Sequence, residues 1–237
     1  MAESITYASR DGIGEITLDD GKVNAMTLAF FQGLGAALDQ AERDGPRALV
    51  ITGRPGAFSA GLNLKVLPTL PPEDLRTTLI AFGRTMLRVF TFPIPTVGAL
   101  SGHAIAGGAM LAYACDLRVM ADGPFRLHLN ESAIGLVLPT WAIRVAEAAV
   151  PWRWHTEAIL HARAYGPAEA LERGLVHGVA RPAERLLDEA HAAAGPLTAL
   201  DTAAYAGSKR RLRAPAVEWA EARLEAEAAG RSFRPAS

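Results

Sequence analysis

The chain has 237 residues, 50% hydrophobic and 21% charged, with a formal net charge of −1 and a pI near 6.6. A chain of this size buries a full core without disulfide or metal support, and its balanced charge gives no electrostatic case for nucleic acid or an anionic membrane. One cysteine, Cys115, rules out an intrachain disulfide, no apolar run approaches the ~20 residues of a membrane span, and the start from Met1 to Arg10 is polar and strand-like, so a soluble cytoplasmic setting is expected.

Ile5-Thr6-Tyr7 and Ile13 to Leu18 alternate apolar and polar residues around Asp11-Gly12, which predicts a β-hairpin. Thr27 to Arg43 has helical spacing, with Thr27 as N-cap and Asp44-Gly45-Pro46 as the stop. Ala48 to Thr52 reads as a buried strand running into the loop Gly53 to Gly56. A helix over Glu73 to Phe90 starts at Pro71-Pro72. Pro95 to Leu100 and Leu117 to Met120 are further strands, with a glycine turn and a short helix between them. This alternation predicts an α/β layered core. Beyond Thr140 the chain is rich in Ala, Leu, Glu and Arg. A short strand is expected at Val176 to Val179, a helix from Pro182 to about Ala194, and two more near Leu197–Leu212 and Val217–Ala229. No internal repeat is evident. The expected division is a core over residues 1–195 and a helical region over 196–237.

The chemistry concentrates in two glycine turns and one acid. In Ala57 to Leu64, Gly61 permits a sharp turn that aims the next N–H, from Leu62, into a cavity. In Ala104 to Met110, Gly107-Gly108 opens a helix whose first N–H groups lack helical partners and gain from the helix dipole. Two such donors converging on one point form an oxyanion hole, where loss of one donor costs about 3 kcal/mol in the transition state. Either turn alone reads equally as a tight strand-to-helix connection. Glu131 follows Met110 by 21 residues; alone, it reads equally as a surface or helix-capping acid.

Together these segments resemble a known family. Phe58-Ser59-Ala60-Gly61-Leu62-Asn63, Ser101 to Gly108, Cys115-Asp116-Leu117-Arg118 and Gly166 to Val176 are similar to the crotonase (enoyl-CoA hydratase/isomerase) superfamily, over about Ile5 to Arg181. The resemblance implies a crotonase (ClpP-like) α/β spiral of β-β-α units with a C-terminal helical region that drives trimerisation. A homotrimer or dimer of trimers is the implied assembly. It also implies an acyl-CoA thioester substrate, with coenzyme A as part of the substrate and no separate cofactor. Leu62 and Gly107 would hold the thioester oxygen through their N–H groups. Hydratases of the superfamily use two glutamates to activate a water. The first aligns with Met110, which cannot bind or deprotonate water, and the second with Glu131. Leu129-Asn130-Glu131 through Ile134-Gly135 looks most like Δ3,Δ2-enoyl-CoA isomerases, in which one glutamate moves a proton from C2 to C4. This chain departs from the family at Asn63, where Asp is common, and at Ile94, where Lys is common.

As both base and acid, Glu131 needs a pKa above the ~4.3 of a free glutamate, and Met110, Ile134, Leu136 and Trp141 are expected to supply this by desolvation. Ala60, Asn63 and Leu64 border the implied coenzyme A path. Lys22, Arg54 and Lys65 are candidates for its phosphates, or equally solvated surface charges. Leu79, Phe82 and Met86 share one helix face, which lines the acyl pocket or fills the core. His103 and His128 read as packing residues, Ser59 and Ser101 lack a histidine–acid partner pattern, and no grouping has metal-ligand spacing. Two competing readings remain. One is a hydratase, or another crotonase reaction, with an acid recruited from Glu73 or Asp74. The other is a non-catalytic acyl-CoA-binding homologue.

Overall fold

The computed structural model describes residues 4–230. The chain opens with the expected hairpin, β1 (Ile5–Arg10) antiparallel to β2 (Ile13–Leu18). Asp11 and Gly12 both take positive φ, which matches the right-handed twist of the flanking strands. After the two-residue β3 (Ala25–Met26), α1 (Leu28–Asp44) begins at Thr27, whose side chain accepts from the Phe30 N–H. Gly45, in the left-handed region, ends it and returns its N–H to Ala41 O.

The β-β-α unit that the family resemblance implies then repeats. One strand enters a six-stranded sheet, the next enters a three-stranded sheet, and a helix follows. The first unit is β4 (Ala48–Gly53), β5 (Gly56–Ser59), the short β6 (Gly61–Leu62) and α2 (Pro72–Phe90). The second is β7 (Thr96–Leu100), β8 (Gly102–Ile105) and α3 (Gly107–Ala114). The third is β9 (Leu117–Ala121), β10 (Leu127–His128) and α4 (Thr140–Ala149), with a 3-10 turn over Glu131–Ile134 before the helix. The large sheet runs β1-β2-β4-β7-β9-β11, with β11 at Gly178–Ala180, the small one β10-β8-β5, and β3 pairs with β6. Among the described residues, the pairings between named strands beyond the first hairpin are parallel, with isolated antiparallel bridges at Arg54–Ala57 and Leu127–Tyr165.

Parallel strands need cover on both faces, and β4 shows it. Leu49 and Ile51 enter the main core with Phe31, Leu34, Met86 and Phe90, whereas Ala48 and Val50 face α6 (Leu186–Ala194) through Leu186 and Ala190. That two-sided burial explains why β4 reads as a continuous apolar run rather than an alternation.

The second half corrects three expectations. The strand expected at Val176 to Val179 lies slightly later, as β11 (Gly178–Ala180), because His177 already donates its N–H to Arg118 O at the edge of β9. Pro182 does not sit in the first turn of a long helix. It precedes a 3-10 turn, Ala183–Arg185, and α6 begins only at Leu186. The short α5 (Pro167–Glu172) lies between α4 and β11.

The two C-terminal helices are one, α7 (Thr202–Ala229), running through Pro215. An interior proline costs a helix about 3 kcal/mol, so continuity requires both flanks to be held. Before Pro215, Lys209 Nζ and Arg213 Nη2 each lie 2.7 Å from the Asp116 carboxylate, and Arg213 also donates to Phe90 O. After it, Ala220, Leu224 and Ala228 are buried, and the Glu227 carboxylate caps α4 by accepting from Thr140 N–H (2.9 Å) and its hydroxyl. Thus α7 packs on α4 and α2 of its own core. The rest of the 196–237 region, beyond Gly230, lies outside the described residues.

Candidate active site

The two glycine turns meet. Gly61 has φ +79°, and a Cβ built there would stand 2.7 Å from Gly107 N, so the β6 turn and the start of α3 touch backbone to backbone. Only glycine serves at 61, for the sign of φ and for this approach. Ala106, just before α3, is held at φ 51°, ψ −118°. Such a conformation is strained for an L-residue and persists only when its surroundings fix it; here its N–H is fixed by His128 O at 2.9 Å. The result sets the start of α3 against the segment Ala60–Leu62.

The Ala60–Leu62 turn is held from below by Asn24. Its Nδ2 donates to Leu18 O (2.9 Å), Ala57 O and Phe58 O (both 3.1 Å). Ser59 Oγ donates to Asn24 O (2.7 Å) and accepts from Gly61 N–H (3.1 Å). Ser59 is therefore a brace for the turn, consistent with its lack of a histidine–acid partner. Sequence reasoning missed Asn24. Its signal lay in Asp19-Asp20-Gly21, a cluster that favours side chain-to-backbone turns.

Leu62, Gly107 and Glu131 line one cavity of about 60 Å³ with Ala60, Leu64, Phe82, Met110, Asn130, Ile134, Leu136 and Pro139. Glu131 starts the 3-10 turn and is 7% exposed, and Gly135 and Leu136 return their N–H groups to its carbonyl. Its cavity neighbours are apolar apart from Asn130 and the backbone of the two turns. Among the described residues, Glu131 is the one carboxylate lining this cavity. Glu73 and Asp74 lie exposed in the first turn of α2, Glu73 beside Arg76, and line no part of it. Trp141 stands one layer back. It is buried against Phe82, ring centroids 4.7 Å apart, and does not line the cavity.

Through Ala60, Leu62 and Leu64 the cavity adjoins an open groove of about 660 Å³ that also carries Lys22, Asn63 and Lys65. Two lysines there give the groove a positive side. Asp20 in the same groove is occupied: it accepts from the backbone N–H groups of Lys22, Asn24 and Ala25. Partial burial pushes its carboxyl up, but those three hydrogen bonds outweigh this and hold it below its ordinary value. Arg54 does not line the groove; it pairs with Asp19 (3.2 Å) and donates to Lys22 O (2.8 Å). His103 on β8 and His128 on the neighbouring β10, where it pairs with Ile105, lie outside the cavity. No cluster of three or more His, Cys, Asp or Glu is placed to hold a metal among the described residues.

The chain has relatives among known proteins. The sequence fits the enoyl-CoA hydratase/isomerase family over residues 8–232. It is 32% identical to the human mitochondrial enoyl-CoA delta isomerase 1 over 171 residues, 71% of this chain and 57% of that protein's length. It is 39% identical to a putative enoyl-CoA hydratase of Thermus thermophilus over 180 residues, 74% and 70% of the two chains. In three dimensions it superposes on an enoyl-CoA isomerase of Mycobacterium tuberculosis with a TM-score of 0.90 at 34% identity, covering 98% of this chain and all of the other. The human mitochondrial Δ3,Δ2-enoyl-CoA isomerase also superposes at 0.90, with 27% identity and 95% and 89% coverage. The chain therefore belongs to the enoyl-CoA hydratase/isomerase family and has the crotonase fold. Relatives named isomerase and relatives named hydratase stand side by side.

Proposed function

We propose that this chain is a Δ3,Δ2-enoyl-CoA isomerase in which Glu131 carries the proton. The observation that bears most weight is the composition of the cavity: one carboxylate, with Met110 on the wall where a second would be needed to orient water. The thioester oxygen accepts from the N–H groups of Leu62 and Gly107. Glu131 removes a proton from C2 of the 3-enoyl thioester, and the C2–H electron pair forms C1=C2 as the carbonyl pair moves onto the oxygen, giving a dienolate conjugated with C3=C4. The two N–H donors stabilise the oxyanion. Glu131 then returns the proton at C4, leaving the double bond between C2 and C3. No water is consumed, and the apolar walls keep water from competing for the proton.

The open groove fits coenzyme A, with Lys22 and Lys65 reaching its phosphates as point charges; coenzyme A is part of the substrate, and no separate cofactor enters the scheme. The protein assembles as a homotrimer or dimer of trimers in the cytoplasm, with exposed Trp152, Val137 and Leu212 as available apolar surface; sedimentation velocity tests the assembly. No helix among the described residues is long and apolar enough to cross a membrane.

The test is a paired assay of 3-enoyl-CoA and 2-enoyl-CoA, following conjugation by absorbance and hydroxyacyl product by mass. Isomerisation without hydration, lost in Glu131→Gln, supports the proton shuttle. Hydration at a comparable rate replaces this reading with a hydratase. Tight acyl-CoA binding without turnover of either replaces it with a binding role.

A further inference from the structure

Resting on that reading of the site, we propose that Phe82 is the end wall of the acyl pocket and restricts the substrate to short acyl chains, up to about four carbons. Phe82 lies on α2, and its ring edge comes within 3.0 Å of where a Gly107 Cβ would be. The ring tip therefore abuts the start of α3 and shares the lining of the cavity with Leu62, Gly107 and Glu131. It cannot swing aside without displacing its neighbours. Phe31 stacks on one side, with centroids 5.2 Å apart and planes at 23°, and Trp141 meets it edge-on at 4.7 Å and 81°.

Behind the ring lies a second, separate void of about 10 Å³, lined by Leu79, Trp141, Leu224, Glu227 and Ala228. Phe82 and Pro139 border both spaces and are the partition between them. The rear void is at the lower limit for even one water. The front cavity, about 60 Å³, is less than half of the ~150 Å³ apolar cavity that admits a six-carbon benzene ring. A carbonyl with a few carbons fits; an eight- or ten-carbon tail has no room while the partition stands. Helix α7 closes the rear void tightly, since a Cβ on Gly83 would meet Leu224 Cδ1 at 2.4 Å. Removing the Phe82 ring would join the two spaces and extend the pocket towards α7.

The test uses saturated butyryl-, hexanoyl- and decanoyl-CoA, bound to the purified full chain by calorimetry, so that it needs no turnover. The wild type is expected to bind butyryl-CoA at least tenfold more tightly than decanoyl-CoA, with hexanoyl-CoA between them. Phe82→Ala is expected to raise the decanoyl-to-butyryl affinity ratio at least tenfold, and Phe82→Leu, a milder loss of a buried ring and the fallback if the alanine variant does not fold, by a smaller factor in the same direction. Leu224→Ala alone should leave that ratio unchanged, because the partition remains. Equal wild-type affinity for all three chain lengths would overturn the proposal, since the tail would then leave past Ile134 and Leu64 to solvent. So would an unchanged ratio in folded Phe82 variants. A length profile of the expected form without isomerase turnover would sustain the wall and refute the isomerase reading; no acyl-CoA binding at any length would refute both.

Discussion

Lys209 Nζ, on the C-terminal helix, lies 2.7 Å from Asp116 Oδ2 in the turn between α3 and β9, and both side chains are withdrawn from solvent. The same carboxylate accepts from Arg213 (2.7 Å) and from the Thr96 N–H (2.8 Å). Burial acts to raise the Asp116 pKa, but the two cations and these hydrogen bonds outweigh it and hold the carboxyl below its ordinary value. Because the folded-state value lies below the unfolded 3.8, the contribution is full above that value and disappears as pH falls through the folded one. Breaking a buried pair by removing one partner costs about 3 kcal/mol. Lys209→Ala is expected to lose an amount of this order at pH 7 by urea denaturation, and to begin acid unfolding at a higher pH than the wild type.

The backbone, not the side chain, of Leu62 is assigned the oxyanion. Leu62→Ala keeps the N–H and should change kcat less than tenfold. Leu62→Pro removes it and should lower kcat by about 10²–10³, with circular dichroism confirming that the variant is folded. Equal rates in the two variants would take Leu62 out of the mechanism.

Asn24 satisfies three buried carbonyls while itself at φ +52°. Asn24→Ala leaves those acceptors unpaired and puts alanine in the left-handed region. A loss of about 2–3 kcal/mol is expected, or a melting temperature lower by about 5–10 °C for a chain of this size. Because Ser59 and the Gly61 turn hang from it, kcat should fall together with stability, whereas a destabilising change in α6 should leave kcat intact.

His177 accepts from the Arg118 N–H through Nδ1 (3.1 Å). Desolvation of the inner face of its ring, then the neighbouring Arg118 guanidinium, push its pKa down to about 4. Between that value and the unfolded ~6.5, the unfolded chain binds the extra proton, so stability is complete above 6.5 and declines as pH falls towards 4. The outer edge of the residue is in water, which screens the effect and keeps it small. His177→Gln should flatten the difference in denaturation midpoint between pH 7 and pH 4.5; a midpoint difference equal to the wild type's would show that other groups carry it.

Much of the architecture was legible because buried parallel strands and amphipathic helices leave strong local patterns. β4 and α1 show this, the latter with its Thr27 cap. Two-residue strands such as β3, β6 and β10 leave none, so local pattern alone did not give the repeating β-β-α unit, which came from the family resemblance. Pro215 misled for a different reason. The local rule ends a helix there, but Asp116 and Thr140, far away in the chain, hold both halves of α7 in line. At the site, the glycine turns were readable locally as tight turns, whereas their pairing with Glu131 came from the family resemblance. Trp141 was expected against Glu131 because apolar character reports burial but not which layer a ring occupies. The Glu227–Thr140 bond joins residues 87 positions apart, and no local pattern announces such a pair.

The rear of the acyl pocket has an order of arrival. Domains emerge from synthesis N-terminal end first, so a growing chain possesses both N–H donors and the acid while the hollow over Leu79, Phe82 and Trp141 is still bare. That greasy hollow is a place for wrong partners until Leu224 and Ala228 cover it. Lys209 and Arg213 precede those residues along α7 and find Asp116 first. The charged pair thus moors the helix, so that its apolar half arrives already aimed at the opening it has to seal.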